Sequence, residues 1–264
     1  MEQIEVEPGV NLVAQVEGEG KPIVLIHGWG LNHEMWNFQI PYLTKRGYKV
    51  VAVDLRGFGN SGKPATGYDY DTWANDIGKV LEKLDLQNVT LVGYSIGGAI
   101  SMYYAATRAD PRIEKLALVA AAGPYVTLDV GNPLGSVPRS FFDETVNLLN
   151  NGQLADAFKL FHKIVFPGMS LPTLEWIEGM LSSASQQALV GGIEAMRDKD
   201  LRQDLPKIRV KTKIFHGFED PFVTNLLVLE QRRLIAGATF AWFWSSGHGL
   251  FFEEVGKLNR ELDW

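Results

Sequence analysis

The sequence predicts a protein of the α/β class, with a mostly parallel β-sheet covered by helices on both faces. Short apolar runs typical of buried strands alternate with amphipathic helical patterns along most of the 264 residues. Conspicuous polar residues follow the ends of those runs, where sheets of this kind build their sites. One long stretch, from about residue 124 to residue 206, has helical patterns but no good strand.

The first part of the chain alternates between strands and helices. Residues 10–17 alternate apolar and polar side chains, except at Val13, which predicts an exposed edge strand. The elements expected after it are strands at 23–26, 48–53, 89–92 and 113–121, and helices at 34–45, 72–84 and 96–108. A basic last turn and Gly47 mark the end of the first of these helices.

The later part of the chain is interrupted by the helical stretch. Helices are predicted there at 140–150, 154–165, 173–183 and about 185–197. Strands resume at 211–216 and 238–244, with helices at 225–235 and from residue 250 onward. We therefore expect a core formed by residues 1–123 and 206–264, with residues 124–205 inserted as a helical cap over the site.

Composition excludes several classes of function. The formal net charge of -6 and the lack of a basic run argue against nucleic acid as a partner. The absence of cysteine rules out disulfides and thiol catalysis and is consistent with a cytoplasmic protein. No signal peptide and no membrane span are expected, since the N-terminal residues are acidic and no long apolar run occurs.

The strongest motif is the G-x-S-x-G sequence formed by Gly93, Ser95 and Gly97. A short β-branched apolar run precedes it, and small, helix-compatible residues follow it. A serine in a sharp turn between strand and helix exposes its Oγ, and the glycines allow the backbone to cross closely. The N-terminus of the helix behind the serine offers free N–H groups to developing negative charge. The motif predicts that Ser95 is a nucleophile.

A serine hydroxyl needs a base within hydrogen-bond reach, and the base needs an orienting acid. Loop histidines are mostly solvated, but His248 follows the last predicted strand, opens a helix and is flanked by glycines. Asp220 and Glu219 both follow the preceding strand and are alternatives for the acid, although an aspartate before a proline is commonly a turn or cap residue. The order Ser95, Asp220, His248 is one of the known orders of a serine triad.

Stabilising an oxyanion requires two backbone N–H donors. The residue after the nucleophile, Ile96, is expected to supply one, and Trp29, in the glycine-rich loop after strand 23–26, the other. Trp29 and Tyr94 would then flank the substrate with their side chains, unless both only pack in the core. Phe161 and His162 in the helical stretch are further candidates for the pocket wall, and His162 could instead be solvated.

The remaining polar residues are assigned structural roles. His27 is expected to hold its loop by hydrogen bonds, His33 to lie at the surface, and His216 to pack and hydrogen-bond at the end of its strand. Asp54 and Arg56 are interpreted as braces of the glycine-rich loop that contains them. No histidine or carboxylate cluster has metal-ligand spacing, so neither a metal nor a cofactor is expected.

Through these residues the chain resembles the α/β-hydrolase superfamily, and most of all the bacterial arylesterases and cofactor-free haloperoxidases (perhydrolases). The match is densest in the segments 27–29, 54–61, 93–98, 216–220 and 247–248. The resemblance implies a mostly parallel eight-stranded sheet flanked by helices, with a small helical cap. It also implies a triad of Ser95, Asp220 and His248, and it favours Asp220 over Glu219.

One residue departs from the perhydrolase pattern. Members of that group often have proline just after the position of Trp29, where this chain has Gly30. This favours plain ester hydrolysis over peracid formation. A serine at position 95, rather than an aspartate, excludes the alkyl-enzyme mechanism of epoxide hydrolases and haloalkane dehalogenases.

The expected function is cleavage of small aryl or short-chain carboxylic esters through an acyl-enzyme. The only expected partner is a small-molecule ester, with no nucleic acid and no membrane. Alternatives that the same triad would serve are a lactonase, an amide hydrolase or a carbon–carbon bond hydrolase. An alternative of another class is a ligand receptor on a hydrolase fold with slow turnover, because a fold does not determine function.

Overall fold

The computed structural model describes residues 1–264 and contains one large β-sheet. Its strands are β1 (Glu2–Glu7), β2 (Val10–Glu17), β3 (Lys21–Ile26), β4 (Tyr48–Asp54), β5 (Val89–Tyr94), β6 (Ile113–Val119), β9 (Lys211–Gly217) and β10 (Thr239–Phe243). Two short strands, β7 (Thr127–Leu128) and β8 (Val137–Pro138), pair separately. The eight strands of the large sheet have the order β1-β2-β4-β3-β5-β6-β9-β10.

Ten α-helices accompany the strands. They are α1 (Ile40–Lys45), α2 (Tyr70–Lys83), α3 (Ile96–Arg108), α4 (Arg139–Asn150), α5 (Leu154–Val165), α6 (Leu171–Leu181), α7 (Gln186–Asp198), α8 (Asn225–Leu234), α9 (Leu250–Glu253) and α10 (Val255–Leu262). Short 3₁₀ helices occupy His33–Trp36 and Leu205–Lys207. None of the helices has both the length and the apolar character needed to cross a lipid bilayer.

The six strands β4, β3, β5, β6, β9 and β10 pair in parallel in this order. At one side of the sheet, β2 pairs antiparallel with β4, and β1 pairs antiparallel with β2. The sheet is covered on both faces, as the complete burial of the six residues of central strand β5 shows. Such strands have continuous apolar sequences because neither face meets water. The predicted class, an α/β fold with an eight-stranded, mostly parallel sheet flanked by helices, is confirmed.

Two local predictions were wrong. Strand β2, expected at the edge, pairs with β4 as well as with β1, and β1 is the edge strand. The acidic side chains of β1 project from this exposed edge of the sheet and discourage pairing with other chains. The helix expected at 34–45 is divided into the 3₁₀ helix and α1, and Pro41, which lacks an N–H, occupies the first turn of α1.

Helices α4–α7, which we call the cap, separate β6 from β9 in the chain. Helix α4 packs against both α5 and α7. The expectation that the stretch 124–206 contains no strand needs correction for β7 and β8, which form a two-residue parallel pair beside the cap. The backbone N–H of Ser185 donates to the carbonyl of Gly57 at 2.8 Å and ties the cap to the core. The division into 1–123, 124–205 and 206–264 stays a prediction.

Candidate active site

Ser95 lies in a strained turn between β5 and α3. Its backbone has φ 53° and ψ −121°, in the left-handed half of φ, which a residue with a side chain rarely adopts. A Cβ on Gly93 would stand 2.3 Å from the carbonyl oxygen of Gly97, so the backbone can cross itself here only with glycine. The turn is held by the N–H of Ser95, which donates to the carbonyl of Val119 at 3.0 Å. The strain directs the hydroxyl out of the sheet.

The hydroxyl of Ser95 is hydrogen-bonded to a buried histidine and, through it, to an aspartate. Nε2 of His248 lies 3.0 Å from Ser95 Oγ, and Nδ1 of His248 lies 2.7 Å from Asp220 Oδ2. All three residues are buried. With Asp220 accepting from Nδ1–H, Nε2 carries the lone pair that can receive the serine proton.

The second oxygen of Asp220 fixes the carboxylate in place. Oδ1 accepts the backbone N–H groups of Phe222 and Val223, both at 2.9 Å. Glu219, the alternative acid, has an exposed side chain and makes no hydrogen bond to His248. The loop after β9 therefore brings only Asp220 to the histidine ring.

The backbone N–H groups of Trp29 and Ile96 have no hydrogen-bond acceptor within the protein. Ile96 is the first residue of α3, where the N–H groups are free to point at a ligand. The loop of Trp29 is held from the cap, because its indole Nε1–H donates to the carbonyl of Leu189 in α7 at 2.8 Å. Gly30, with φ +70°, then turns this loop back.

A buried hydrogen-bond network around Asp54 shows that one prediction was wrong. His33 was expected at the surface, but it is buried and bonded to Asp54 through its backbone N–H at 2.7 Å and its Nδ1 at 2.8 Å. The hydrogen bond to Asp54 raises the pKa of His33. Burial alone would raise the pKa of Asp54, but the bonds from His33 and from the N–H of Asn60 outweigh it and lower that pKa.

His27 braces the same loop by two hydrogen bonds. Its Nδ1–H donates to the carbonyl of Gly28 at 2.8 Å, and its Nε2 accepts the N–H of Leu55 at 3.0 Å. Burial lowers the pKa of His27 to about 4, so the ring stays neutral and keeps both bonds at neutral pH. Arg56 does not bond within its turn but forms a buried ion pair with Asp76 of α2, both nitrogen–oxygen contacts being 2.6 Å.

A small cavity, which we call the inner cavity, adjoins the serine. It offers about 20 Å³ of space to a water-sized group. Its walls come from the loop of Trp29, the turn at Ser95, the loop of His248 and the cap. They are formed by Trp29, Gly30, Leu31, Tyr94, Ser95, Phe158, Phe161, His162, Val165, Phe166, Ile177, Leu181 and His248. The four pocket candidates named from the sequence are among these residues.

A second cavity, the outer cavity, lies on the other side of Phe166 and His248. It offers about 150 Å³ and is lined by Val165, Phe166, Pro167, Gly168, Met169, Glu219, Pro221, Ser245, Gly247, His248 and Glu253. The Phe166 ring lies 5.9 Å from the ring of His248, measured between centroids. Phe166 therefore separates two spaces that both reach the imidazole.

Some lining residues could not be identified from the sequence. Leu31, Ile177 and Leu181 carry no chemical signal, and only the packing of α6 over the loop of Trp29 brings them to the cavity. In contrast, the aromatic side chains of β10 take no part in it. Trp242 instead packs against Phe240, Trp244 and His216.

No group of three or more histidine, cysteine, aspartate or glutamate side chains is arranged as a metal-binding cluster. His216, at the end of β9, was expected to pack and to form hydrogen bonds. It is fully buried and packs against Trp242, but neither ring nitrogen has a hydrogen-bond partner, and burial lowers its pKa to about 4. The hydroxyl of Ser95, within hydrogen-bond distance of His248 Nε2, is suited to attack an acyl carbon while the histidine takes its proton.

Comparison with known proteins places this chain among the α/β hydrolases. A sequence model of the family described as alpha/beta hydrolase fold matches residues 21–255. The AB hydrolase superfamily protein YisY of Bacillus subtilis is 38% identical over 260 residues, which cover 97% of this chain and 95% of that protein.

Two solved structures superpose closely. An esterase (EaEST) from Exiguobacterium antarcticum has a TM-score of 0.93 and 35% identity, with coverage of 99% of this chain and 97% of that one. A bromoperoxidase from Bacillus anthracis has a TM-score of 0.93, 32% identity and the same coverage, 99% and 97%. The expected resemblance to esterases and haloperoxidases is confirmed.

Proposed function

Because this chain belongs to the α/β-hydrolase fold family, we propose that it is a cofactor-independent serine esterase that cleaves small aryl or short-chain carboxylic esters. One observation carries the proposal. Ser95 Oγ, the two ring nitrogens of His248 and the Asp220 carboxylate form a continuous buried series with contacts of 3.0 and 2.7 Å. That series has the geometry that general-base activation of a serine requires.

The first step forms an acyl-enzyme. Nε2 of His248 takes the proton of Ser95 as Oγ attacks the ester carbonyl, and Asp220 stabilises the imidazolium that results. The carbonyl oxygen becomes an oxyanion between the free N–H groups of Trp29 and Ile96. His248 then returns the proton to the departing alcohol oxygen, and the ester C–O bond breaks.

The second step releases the acid. Water takes the place of the alcohol beside His248, which removes one of its protons as the oxygen attacks the acyl-enzyme carbonyl. The tetrahedral intermediate collapses, and Ser95 recovers its proton from the imidazolium. This chemistry uses only side chains and backbone groups of this chain.

The two cavities suggest where the acyl part and the alcohol part of an ester would bind beside Ser95. About 20 Å³ is room for one or two water-sized groups, so the inner cavity suits the chain of a short acyl group. The outer cavity, at about 150 Å³, is the larger space next to His248, where the alcohol has to be protonated. We assign the acyl group to the inner and the alcohol to the outer cavity.

The similarity to a protein named bromoperoxidase favours a second candidate function, perhydrolysis. Hydrogen peroxide would then replace water in the second step and release a peracid. Gly30 supports hydrolysis instead, because its φ of +70° is not available to the proline that perhydrolases often have there. The ratio of peracid to acid formed from one ester in the presence of peroxide separates the two functions.

Hydrolysis of p-nitrophenyl esters, from acetate to octanoate, tests the proposal. We expect turnover that falls as the acyl chain lengthens, and its loss in Ser95→Ala. Ser140→Ala, which removes the same hydroxyl from an exposed position of α4, is the matched control and should keep full activity. Activity that survives Ser95→Ala would refute the mechanism. Tight ester binding with very slow turnover would instead indicate a receptor.

A further inference from the structure

Almost every polar side chain that borders the inner cavity is already engaged within the protein. Ser95 and His248 are bonded to each other. The indole N–H of Trp29 donates to Leu189, and the hydroxyl of Tyr94 donates to the carbonyl of His248 at 3.1 Å. These groups are not free to bind the distal part of an acyl group.

His162 of α5 is the exception among the side chains of this cavity. Its Nε2 is buried and has no hydrogen-bond partner. The ring lies between two aromatic rings of the wall, with centroids 5.6 Å from Phe158 and 5.9 Å from Phe166. A buried polar atom without a partner carries a free-energy cost, which a hydrogen bond to a group of the substrate would remove.

The charge state of His162 limits what it can bind. Burial lowers the pKa of His162, and the smaller effect of the Glu178 charge acts in the opposite direction. The ring is therefore neutral at pH 7, with one N–H donor and one lone pair. A neutral imidazole suits a hydroxyl or carbonyl group better than a carboxylate or an ammonium group. Because the inner cavity is small, the acyl chain that carries this hydroxyl or carbonyl group has to be short.

We propose that His162 is a specificity-determining residue, whose Nε2 forms a hydrogen bond with a hydroxyl or carbonyl substituent on the acyl chain of the substrate. The proposal rests on the esterase function proposed above and specifies its substrate class: esters of short hydroxy or oxo acids. Phe158 and Phe166 hold the ring in place, and the apolar remainder of the cavity takes the carbon chain.

Two matched pairs of p-nitrophenyl esters, chosen for the small inner cavity, test this inference: acetate with glycolate, and propionate with lactate. Within each pair, kcat/KM for the hydroxylated ester is divided by kcat/KM for the plain ester. We expect His162→Phe to lower this ratio about tenfold in at least one pair, which is the scale of one hydrogen bond. Hydrolysis of the plain ester is the internal reference within each protein, so an effect of the substitution on the shape of the cavity, which acts on both esters, cancels in the ratio.

The ratio is compared between wild type and each variant. This comparison removes the difference in intrinsic reactivity between the two esters of a pair. His162→Gln, which keeps a donor and an acceptor, should restore part of the ratio. His162→Phe should melt no lower than wild type, because it replaces an unpaired polar ring with an apolar one. If that variant does not fold, His162→Gln and His162→Leu are compared instead.

Unchanged ratios in both pairs would overturn the proposal, and so would an equal loss for both members of each pair, which would indicate a packing role. Either result would leave the esterase function intact, since that function depends on the Ser95→Ala comparison. Hydrolysis that persists in Ser95→Ala would refute the function instead, so the two failures are distinguishable.

Discussion

Gly97 lies against the backbone of His27, and a Cβ at position 97 would stand 2.3 Å from the His27 carbonyl oxygen. The first turn of α3 and the start of the Trp29 loop are thus packed backbone to backbone. This close approach places Ile96, which adjoins Gly97, beside the start of the loop that carries the second free N–H, that of Trp29. No side chain larger than hydrogen fits between them.

Gly97→Ala should disrupt this contact. Neither backbone can move away without shifting Ile96 or Trp29, and a displacement of about 1 Å at a reacting centre can cost 10²-fold in rate. We expect a loss of that order in kcat for p-nitrophenyl acetate, together with a lower melting temperature. Gly179→Ala in α6 is the control, because a Cβ there meets nothing within 4 Å and alanine favours the helix. Wild-type kinetics in Gly97→Ala would contradict the assignment of the two donors.

Asp220→Asn should lower kcat by about 10⁴-fold, because an amide cannot hold His248 in the tautomer that leaves Nε2 unprotonated. Glu219→Gln, one residue earlier, removes a carboxylate from an exposed side chain that makes no bond to His248, and should retain most of the activity. Steady-state kinetics on one ester measure both variants. A loss below about tenfold in Asp220→Asn would reassign the orienting acid.

Phe166→Ala should join the inner and outer cavities, because the ring of Phe166 forms a wall of both. We expect the ratio of octanoate to acetate hydrolysis to rise, as longer acyl chains extend into the outer space. The chain-length series of p-nitrophenyl esters measures this ratio. Phe240→Ala on β10 removes the same atoms outside both cavities and should leave the profile unchanged. An unaltered profile in Phe166→Ala would show that the ring does not limit acyl length.

Acid should destabilise the protein through its buried neutral histidines. Burial lowers the pKa of His216 to about 4 from an ordinary value of 6.5, so between these pH values the unfolded chain binds more protons than the folded one. The free energy of unfolding therefore decreases as pH falls from 6.5 to 4, by about 3 kcal/mol from this one group.

Urea denaturation at pH 7 and pH 4.5 measures that decrease. His216→Phe replaces the imidazole with an apolar ring against Trp242 and should show a smaller difference between the two pH values than wild type. The comparison uses the difference within each protein, so a general effect of the substitution on packing cancels. Equal differences in both proteins would mean that His216 is not the group responsible.

The sequence was sufficient to predict the fold class and the grouping of Ser95 and His248 with the acidic residues after β9, because each follows a strand and parallel strands deliver their ends to one edge of the sheet. The choice of Asp220 over Glu219 came from the resemblance to α/β hydrolases. His33 was predicted incorrectly. Its burial depends on Asp54, 21 residues later in the chain, and no local pattern reports that contact. The sequence around His33 is polar and resembles a surface turn.

The edge of the sheet was missed for a related reason. The charged side chains of β1 on both sides of Ile4 and Val6 hide the strand pattern, although these charges suit an unpaired edge. Similarly, the inner cavity depends on how α5 and α6 cross the loop of Trp29. Helical periodicity identifies the apolar faces of these helices, but which residues face Ser95 depends on tertiary packing.

The hydrogen bond from the Trp29 indole to Leu189 has a consequence for anyone who recombines this enzyme with its relatives. Ser95, His248 and Asp220 come from the core, whereas the loop that presents the Trp29 N–H is anchored to α7. Gly192, one turn after Leu189, leaves the room that the indole needs, since a Cβ there would stand 2.7 Å from Trp29 Cδ1. A chimera that exchanges the helical segment alone would still offer a carbonyl at position 189, but a side chain at position 192 would push the indole away from it. The loop and α7 have to be transplanted as one module.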